Sequence, residues 1–144
     1  MKVVDLNLII YALNSDSPFH EKAHQWLEEA LSSDEVFGLP WVVILGFLRI
    51  TTNPRIMPNP ISSNSALEII ENWLSLPMVR VLSPSKRHWD IFRRIIEPLG
   101  AAGNLTTDAH LAALAFECGA TLYTTDNDFS RFQFLKWVNP IGTA

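Results

Sequence analysis

A single cysteine, Cys118, occurs in 144 residues. One thiol forms no internal disulfide and cannot complete the ligand set of a structural zinc, so a disulfide scaffold and a zinc-stapled fold are both excluded. In its apolar helical context Cys118 is expected to serve as a small buried hydrophobe in a reducing compartment. Long apolar runs are equally scarce. The N-terminal "MKVVDLNLIIYAL" is interrupted by Asp5 and Asn7 and no small-residue cleavage site follows, which argues against a secretory signal. No other segment is apolar for long enough to span a bilayer, so a cytoplasmic chain with no membrane partner is expected. Basic residues are in short supply too, with 11 Lys and Arg against 15 Asp and Glu and a net charge of -4. That balance speaks against a protein that grips nucleic acid through overall basicity. It does not speak against a local carboxylate cluster, because acids that hold a divalent cation add negative charge where phosphate would bind.

Neither repeats nor linker-like stretches interrupt the chain. With 48% hydrophobic residues in 144, it can bury one core and is too short to expect two, so a single domain over 1–144 is expected. Short β-branched runs alternate with helical patterns. "KVVD" predicts a strand and "LNLIIYAL" a buried helix. Ser17 and Pro18 read as the cap and first position of a helix whose stripe is Phe19, Ala23, Trp26, Leu27, Ala30 and Leu31. "EVFGL" predicts a strand, and Pro40 opens a helix over "WVVILGFLRITT". The prolines of "NPRIMPNPISS" bar regular structure and predict an exposed arm. Next come a helix "SALEIIENWLSL", a strand "VRVL", and a helix over "SPSKRHWDIFRRIIEPLG" opened by Ser83 and Pro84. A helix "DAHLAALAFECG" ended by Gly119 precedes the strands "ATLYTTD" and "KWVNP". This alternation implies an α/β fold with a mainly parallel sheet and helices on both faces, and ligands bind such sheets beyond the carboxyl ends of the strands.

Asp5 lies at one such strand end, Asp126 and Asp128 just past another, and Asp108 at the start of the intervening helix. Each alone has an ordinary explanation as a helix cap, a turn residue or a partner of the macrodipole. Together at one edge they would repel and lose hydration unless something positive sat among them. A hard divalent cation such as magnesium resolves that conflict, and its chemistry points to phosphodiester hydrolysis.

In "VVDLNLIIYA", "TTNPRI", "NLTTDAHLAALA" and "GATLYTTDNDFSRF", from near Met1 to Pro140, the chain resembles the PIN-domain ribonucleases, specifically the VapC toxins of VapBC toxin–antitoxin pairs. The resemblance implies a PIN-like three-layer α/β fold with a mainly parallel central sheet flanked by helices. It also implies a Mg2+- or Mn2+-dependent endoribonuclease with RNA as substrate, a small cognate antitoxin that holds it inactive, and a homodimer. Asp5, Asp108 and Asp126 match the catalytic, metal-binding acids. Asp128 matches an additional acid, acting behind the ligands or as a cap, and Asn7 and Thr125 match small polar positions beside them. One departure stands out, because Gly46 occupies the place of the family's usual glutamate. The alternative is therefore a weakened or inactive PIN domain that binds RNA or protein. A haloacid-dehalogenase-type phosphatase is disfavoured by Asn7, which stands where that chemistry needs a second aspartate.

Arg49, on the helix face of Gly46, and Arg55, in the proline-rich loop, are candidates for RNA phosphate, with Lys86, Arg87, Arg93 and Arg94 as a further basic rim. His20, His24 and His88 are expected on solvated or partly packed helix surface, and His110 is expected to point away from Asp108. The five tryptophans are expected in core or dimer packing rather than in a base-stacking platform.

Overall fold

A computed structural model describes residues 1–142. Its strands are β1 (Lys2–Val4), β2 (Phe37–Pro40), β3 (Val79–Leu82), β4 (Thr121–Tyr123) and β5 (Trp137–Val138). They form one sheet in the order β3-β2-β1-β4-β5 with every pairing parallel. The helices that connect them are α1 (Leu6–Leu13), α2 (His20–Ser32), α3 (Trp41–Thr51), α4 (Ser63–Ser75), α5 (His88–Ile96) and α6 (Thr106–Glu117). Parallel strands need such crossovers, and strands covered on both faces are apolar throughout. The central β1 accordingly buries Val3 and Val4 completely.

Strand order is what positions the site. Because β4 lies directly beside β1 with Val4 opposite Tyr123, the residues that follow the two strands leave the sheet side by side. The Asp5 N–H donates to the Tyr123 carbonyl at 2.9 Å, so the parallel ladder continues to the first acid. Helix α6, which leads into β4, buries Ala109 and every residue from Leu111 to Ala115. Its small side chains allow close approach on several sides, and it ends where Gly119 adopts a φ of +63°, a conformation that favours glycine.

Several expectations are corrected. Helix α1 covers the expected "LNLIIYAL", with Asp5 as its N-cap, but other starts differ. Helix α2 starts at His20, because the Ser17 hydroxyl accepts the Phe19 N–H at 3.1 Å and closes a turn ahead of the helix instead of capping it. Helix α5 starts at His88, since the Ser85 N–H is taken by Glu117 Oε1 at 3.0 Å and the Ser85 hydroxyl takes the Arg87 N–H. The proline-rich segment is not an arm. Met57 is buried, Ile61 packs on the core and donates to the Thr51 carbonyl at 2.9 Å, and Asn59 donates to Asp16. Cys118 is exposed, because it follows the last turn of α6 rather than lying on its buried face. Of the tryptophans expected in core or dimer packing, Trp26 and Trp73 pack into the core, and Trp41 and Trp89 are 50% and 66% exposed.

Candidate active site

Asp5 ends β1 and caps α1. One carboxylate oxygen, Oδ1, accepts the Leu6 N–H at 2.7 Å, and the other accepts the Thr124 hydroxyl at 2.7 Å. Thr124 follows β4 directly and is wholly buried. Its oxygen also accepts the Asp126 N–H at 3.0 Å and lies 3.4 Å from Asn7 Nδ2. A single hydroxyl thus joins the ends of two neighbouring strands. Asp126 opens the short turn Asn127–Arg131, and its Oδ1 accepts the Asp128 N–H at 2.8 Å. Asp108 enters from the first turn of α6.

The side chains of Asp108, Asp126 and Asp128 each bring one carboxylate oxygen to within 4.8 Å of the other two. Asp108 and Asp126 are half-buried, and Asp128 is exposed at the rim. Burial pushes the Asp108 carboxyl up to about 6, and the charges of Asp5, Asp126 and Asp128 push in the same direction. Asp5 is raised as well, since burial outweighs the hydrogen bonds from Thr124 and Leu6 that favour its ionised form, and Asp126 adds repulsion. Carboxyls crowded enough to retain protons above their ordinary range mark a place that favours a cation. Opposite ligands of an octahedral Mg2+ stand about 4.2 Å apart at the usual Mg–O distances, so this all-oxygen donor set fits a small hard cation with little adjustment.

The two aspartates of "TDND" divide their work in a way that their spacing did not reveal. Asp126 provides the cap and faces the cluster, whereas the Asp128 carboxylate projects into the cluster from the exposed side. Asn7 Oδ1 is 3.4 Å from the Thr125 N–H, so Asn7 spans both strand ends. Thr125 lines a separate recess of about 220 Å³ with Tyr11, Phe19 and Asn127. Arg49 and Arg55 are exposed, and neither forms a salt bridge among the described residues. Gly46 is buried against α1, where a Cβ would stand 2.5 Å from Leu6 Cδ2, and Leu6 is the residue after Asp5.

Two features escaped sequence reading. Thr124 is one; continuing the strand alternation past Tyr123 would have turned it inward. The other is a half-buried relay between α5 and α6. His88 Nδ1 lies 3.2 Å from Glu117 Oε2, and His88 Nε2 lies 2.9 Å from His110 Nδ1. His88 is therefore partly packed, between α5 and α6. Burial and the neighbouring His88 lower the His110 pKa, and Glu117 acts in the opposite direction. No signal within α5 alone could show this, because His88, His110 and Glu117 meet only when α5 lies on α6.

Comparison with known proteins places these observations. The PIN domain family profile matches residues 2–135. Ribonuclease VapC37 of Mycobacterium tuberculosis is 39% identical over 140 residues, covering 97% of this chain and 97% of the relative. Ribonuclease VapC33 of the same species is 38% identical over 141 residues, covering 98% and 99% respectively. Among solved structures, VapBC-1 from nontypeable Haemophilus influenzae superposes with a TM-score of 0.71 at 18% identity, covering 98% of both chains. Mycobacterium tuberculosis VapC20, described as a sarcin-ricin loop cleaving toxin, superposes with a TM-score of 0.66 at 19% identity, covering 94% of this chain and 98% of that one. At those identities the likeness is one of fold. Among the described residues no helix is long and apolar enough to cross a membrane.

Proposed function

We infer, for a chain that belongs to the PIN-domain family and within it to the VapC ribonucleases, a toxin-type endoribonuclease that depends on a divalent cation. The observation that supports this reading most is the convergence of Asp108, Asp126 and Asp128, with Asp5 tied to the backbone of Asp126 through the Thr124 hydroxyl. Asp5, Asp108 and Asp126 are the acids that would hold Mg2+ or Mn2+, with Asp128 completing the set from the solvent side. A cation there would neutralise charge developing on a phosphodiester and promote the attack of water.

The chain's own groups pre-arrange this site. The Leu6 N–H and the Thr124 hydroxyl fix both oxygens of Asp5, which limits its rotation. The Asp128 N–H fixes Asp126. Such hydrogen-bonded support keeps ligands oriented before substrate arrives. Asn7 and the Thr125 N–H strengthen the link between the strand ends, and Arg49 and Arg55 are placed in solvent where RNA phosphates can reach them.

The partner that fits an open acidic cluster is a small cognate antitoxin that brings a basic side chain to it, which would also exclude cation and RNA. Two copies of the chain forming a homodimer complete the proposal, in keeping with its family.

The decisive experiment uses protein freed of any co-purifying antitoxin. Total cellular RNA is incubated with it in EDTA, in Mg2+ and in Mn2+, and new RNA ends are mapped. Discrete ends that appear only with the cation are expected. RNA left intact in every condition by folded protein would favour the binding-module alternative that Gly46 raises.

A further inference from the structure

The first turn of α6, which carries Asp108, borders an open groove of about 350 Å³. Val42, Trp89 and Phe92 form its apolar side, and Thr106, Thr107 and His110 its polar side. Thr106 and Thr107 immediately precede Asp108, so the groove and the cluster share one helical turn. We propose that this groove is a subsite for an unpaired base of the RNA substrate adjacent to the cut phosphate, with Trp89 as the stacking platform and His110 as the hydrogen-bonding group. The subsite rests on the ribonuclease reading and adds to it where the substrate's bases lie.

Three observations favour a base over a protein segment. The first is shape and chemistry. Trp89 is 66% exposed, yet its ring is 6.0 Å from Phe92, which in turn stacks on His88 at 6.2 Å. The Trp89 and Phe92 rings are tilted by 34°, so Phe92 steadies the indole from its side and leaves its exposed face open, and base–aromatic stacking needs such a face. The second is the polar wall. With the Glu117 carboxylate accepting from His88 Nδ1, the His88 Nε2 lone pair faces His110 Nδ1–H. His110 Nε2 then remains as its unengaged ring nitrogen among the described residues, and it suits the edge of a base or a ribose hydroxyl. Thr106 donates its proton to the Gly103 carbonyl and so can only accept from a ligand through that hydroxyl. A purely apolar peptide side chain would leave these groups unpaired. The third is continuity and charge. Thr107 lines the groove and is bonded directly to Asp108, so a strand leaving the groove along this turn runs toward the acids, and the exposed Lys86 just before α5 matches its polyanionic backbone.

The test begins with a short single-stranded RNA that contains a mapped cleavage site. Trp89→Ala, Trp89→Phe and His110→Ala are compared with the parent for kcat, KM and base preference on either side of the cut. Trp89→Ala should raise KM about tenfold, the usual loss for one stacked base, and relax the base preference at one flanking position with kcat nearly unchanged. Trp89→Phe should recover most of the affinity, which a merely structural role would not require. In parallel, labelled RNA is titrated by fluorescence anisotropy into Asp5→Asn protein with and without Trp89→Ala, so binding is read where nothing is cut. Equal RNA affinity and equal KM in folded Trp89→Ala protein overturns the subsite while leaving the ribonuclease reading intact. A change in sedimentation mass with no change in RNA affinity also overturns it, and assigns the face to a protein partner. A parent that cuts no RNA counts against the ribonuclease reading alone, because the anisotropy arm still tests the groove.

Discussion

The Thr124 hydroxyl donates to Asp5 Oδ2 at 2.7 Å while accepting the Asp126 N–H at 3.0 Å, so one buried side chain sets the relation between acids that lie 121 positions apart. Thr124→Val keeps the shape and removes both interactions. It should lower stability by about 1–3 kcal/mol, the cost of a buried polar group left unpaired, and should lower kcat more than KM. Thr124→Ser should restore activity because the hydroxyl is retained. Thermal melts and steady-state cleavage read both effects, and a Val variant with parental kcat would remove Thr124 from the positioning role.

Asp5→Asn and Asp108→Asn should abolish cation-dependent cleavage with the fold retained. Each replaces an anionic oxygen donor by a neutral one of the same shape. Circular dichroism verifies the fold, and cleavage by either folded variant at the parental rate would withdraw that acid from the site.

The same acids predict a pH dependence of stability in metal-free protein. Asp108 holds its proton up to about pH 6 in the folded chain, against an ordinary value of 3.8, so folding takes up a proton between those values. The folded state is therefore favoured in full below about pH 3.8 and loses this contribution as pH rises through about 6. Asp5, also raised, adds a dependence of the same sign. Urea titrations in EDTA across this range should show the parent losing stability relative to Asp108→Asn as pH rises. A parallel course of the two proteins would show that the cluster imposes no such strain.

Cation binding should reverse that loss. A Mg2+ ion that binds only the folded chain should, at pH 7, raise the Tm of the parent well above its EDTA value and raise that of Asp108→Asn much less. Equal shifts in both proteins would mean that the ion binds elsewhere.

Gly46 permits a test of its own. A Cβ there would stand 2.5 Å from Leu6 Cδ2, so any side chain must displace Leu6 beside Asp5. Gly46→Glu should therefore cost about 1–3 kcal/mol through overpacking and should not shift the Mg2+ dependence of cleavage to lower concentration. Gly46→Ala combined with Leu6→Ala should be better tolerated than either change predicts alone, because the clash is gone and helix propensity improves by about 1 kcal/mol. A Glu variant with an intact fold and tighter Mg2+ response would instead show a vacant ligand position that Leu6 yields readily.

Much of this molecule was legible along the chain because the signals are local. Period-two and helical apolar patterns depend on neighbours a few residues away, so the strands at "KVV" and "TLY" and the buried helix at "AHLAALA" follow from residue order. Their alternation implies a parallel sheet, and a parallel sheet places Asp5 and Asp126 at the same edge. Helix starts were less legible. Ser17 and Ser83 have the composition of caps, yet Ser17 closes a turn with Phe19 and the α5 start is displaced by Glu117 holding Ser85.

Residue order was enough for the strands, the helices and their alternation, and for putting Asp5 and Asp126 at the carboxyl ends of parallel strands. Tertiary structure alone decided that β4 lies next to β1, that a buried Thr124 bridges their ends, that Asp128 rather than a cap completes the cluster, and that Gly46 receives Leu6. It also decided that His88, His110 and Glu117 form one relay. The physical reason is the same in each case. Hydrogen bonds and close packing between residues on different elements depend on which elements lie side by side, and that is settled by burial of the whole core rather than by the preference of any single stretch.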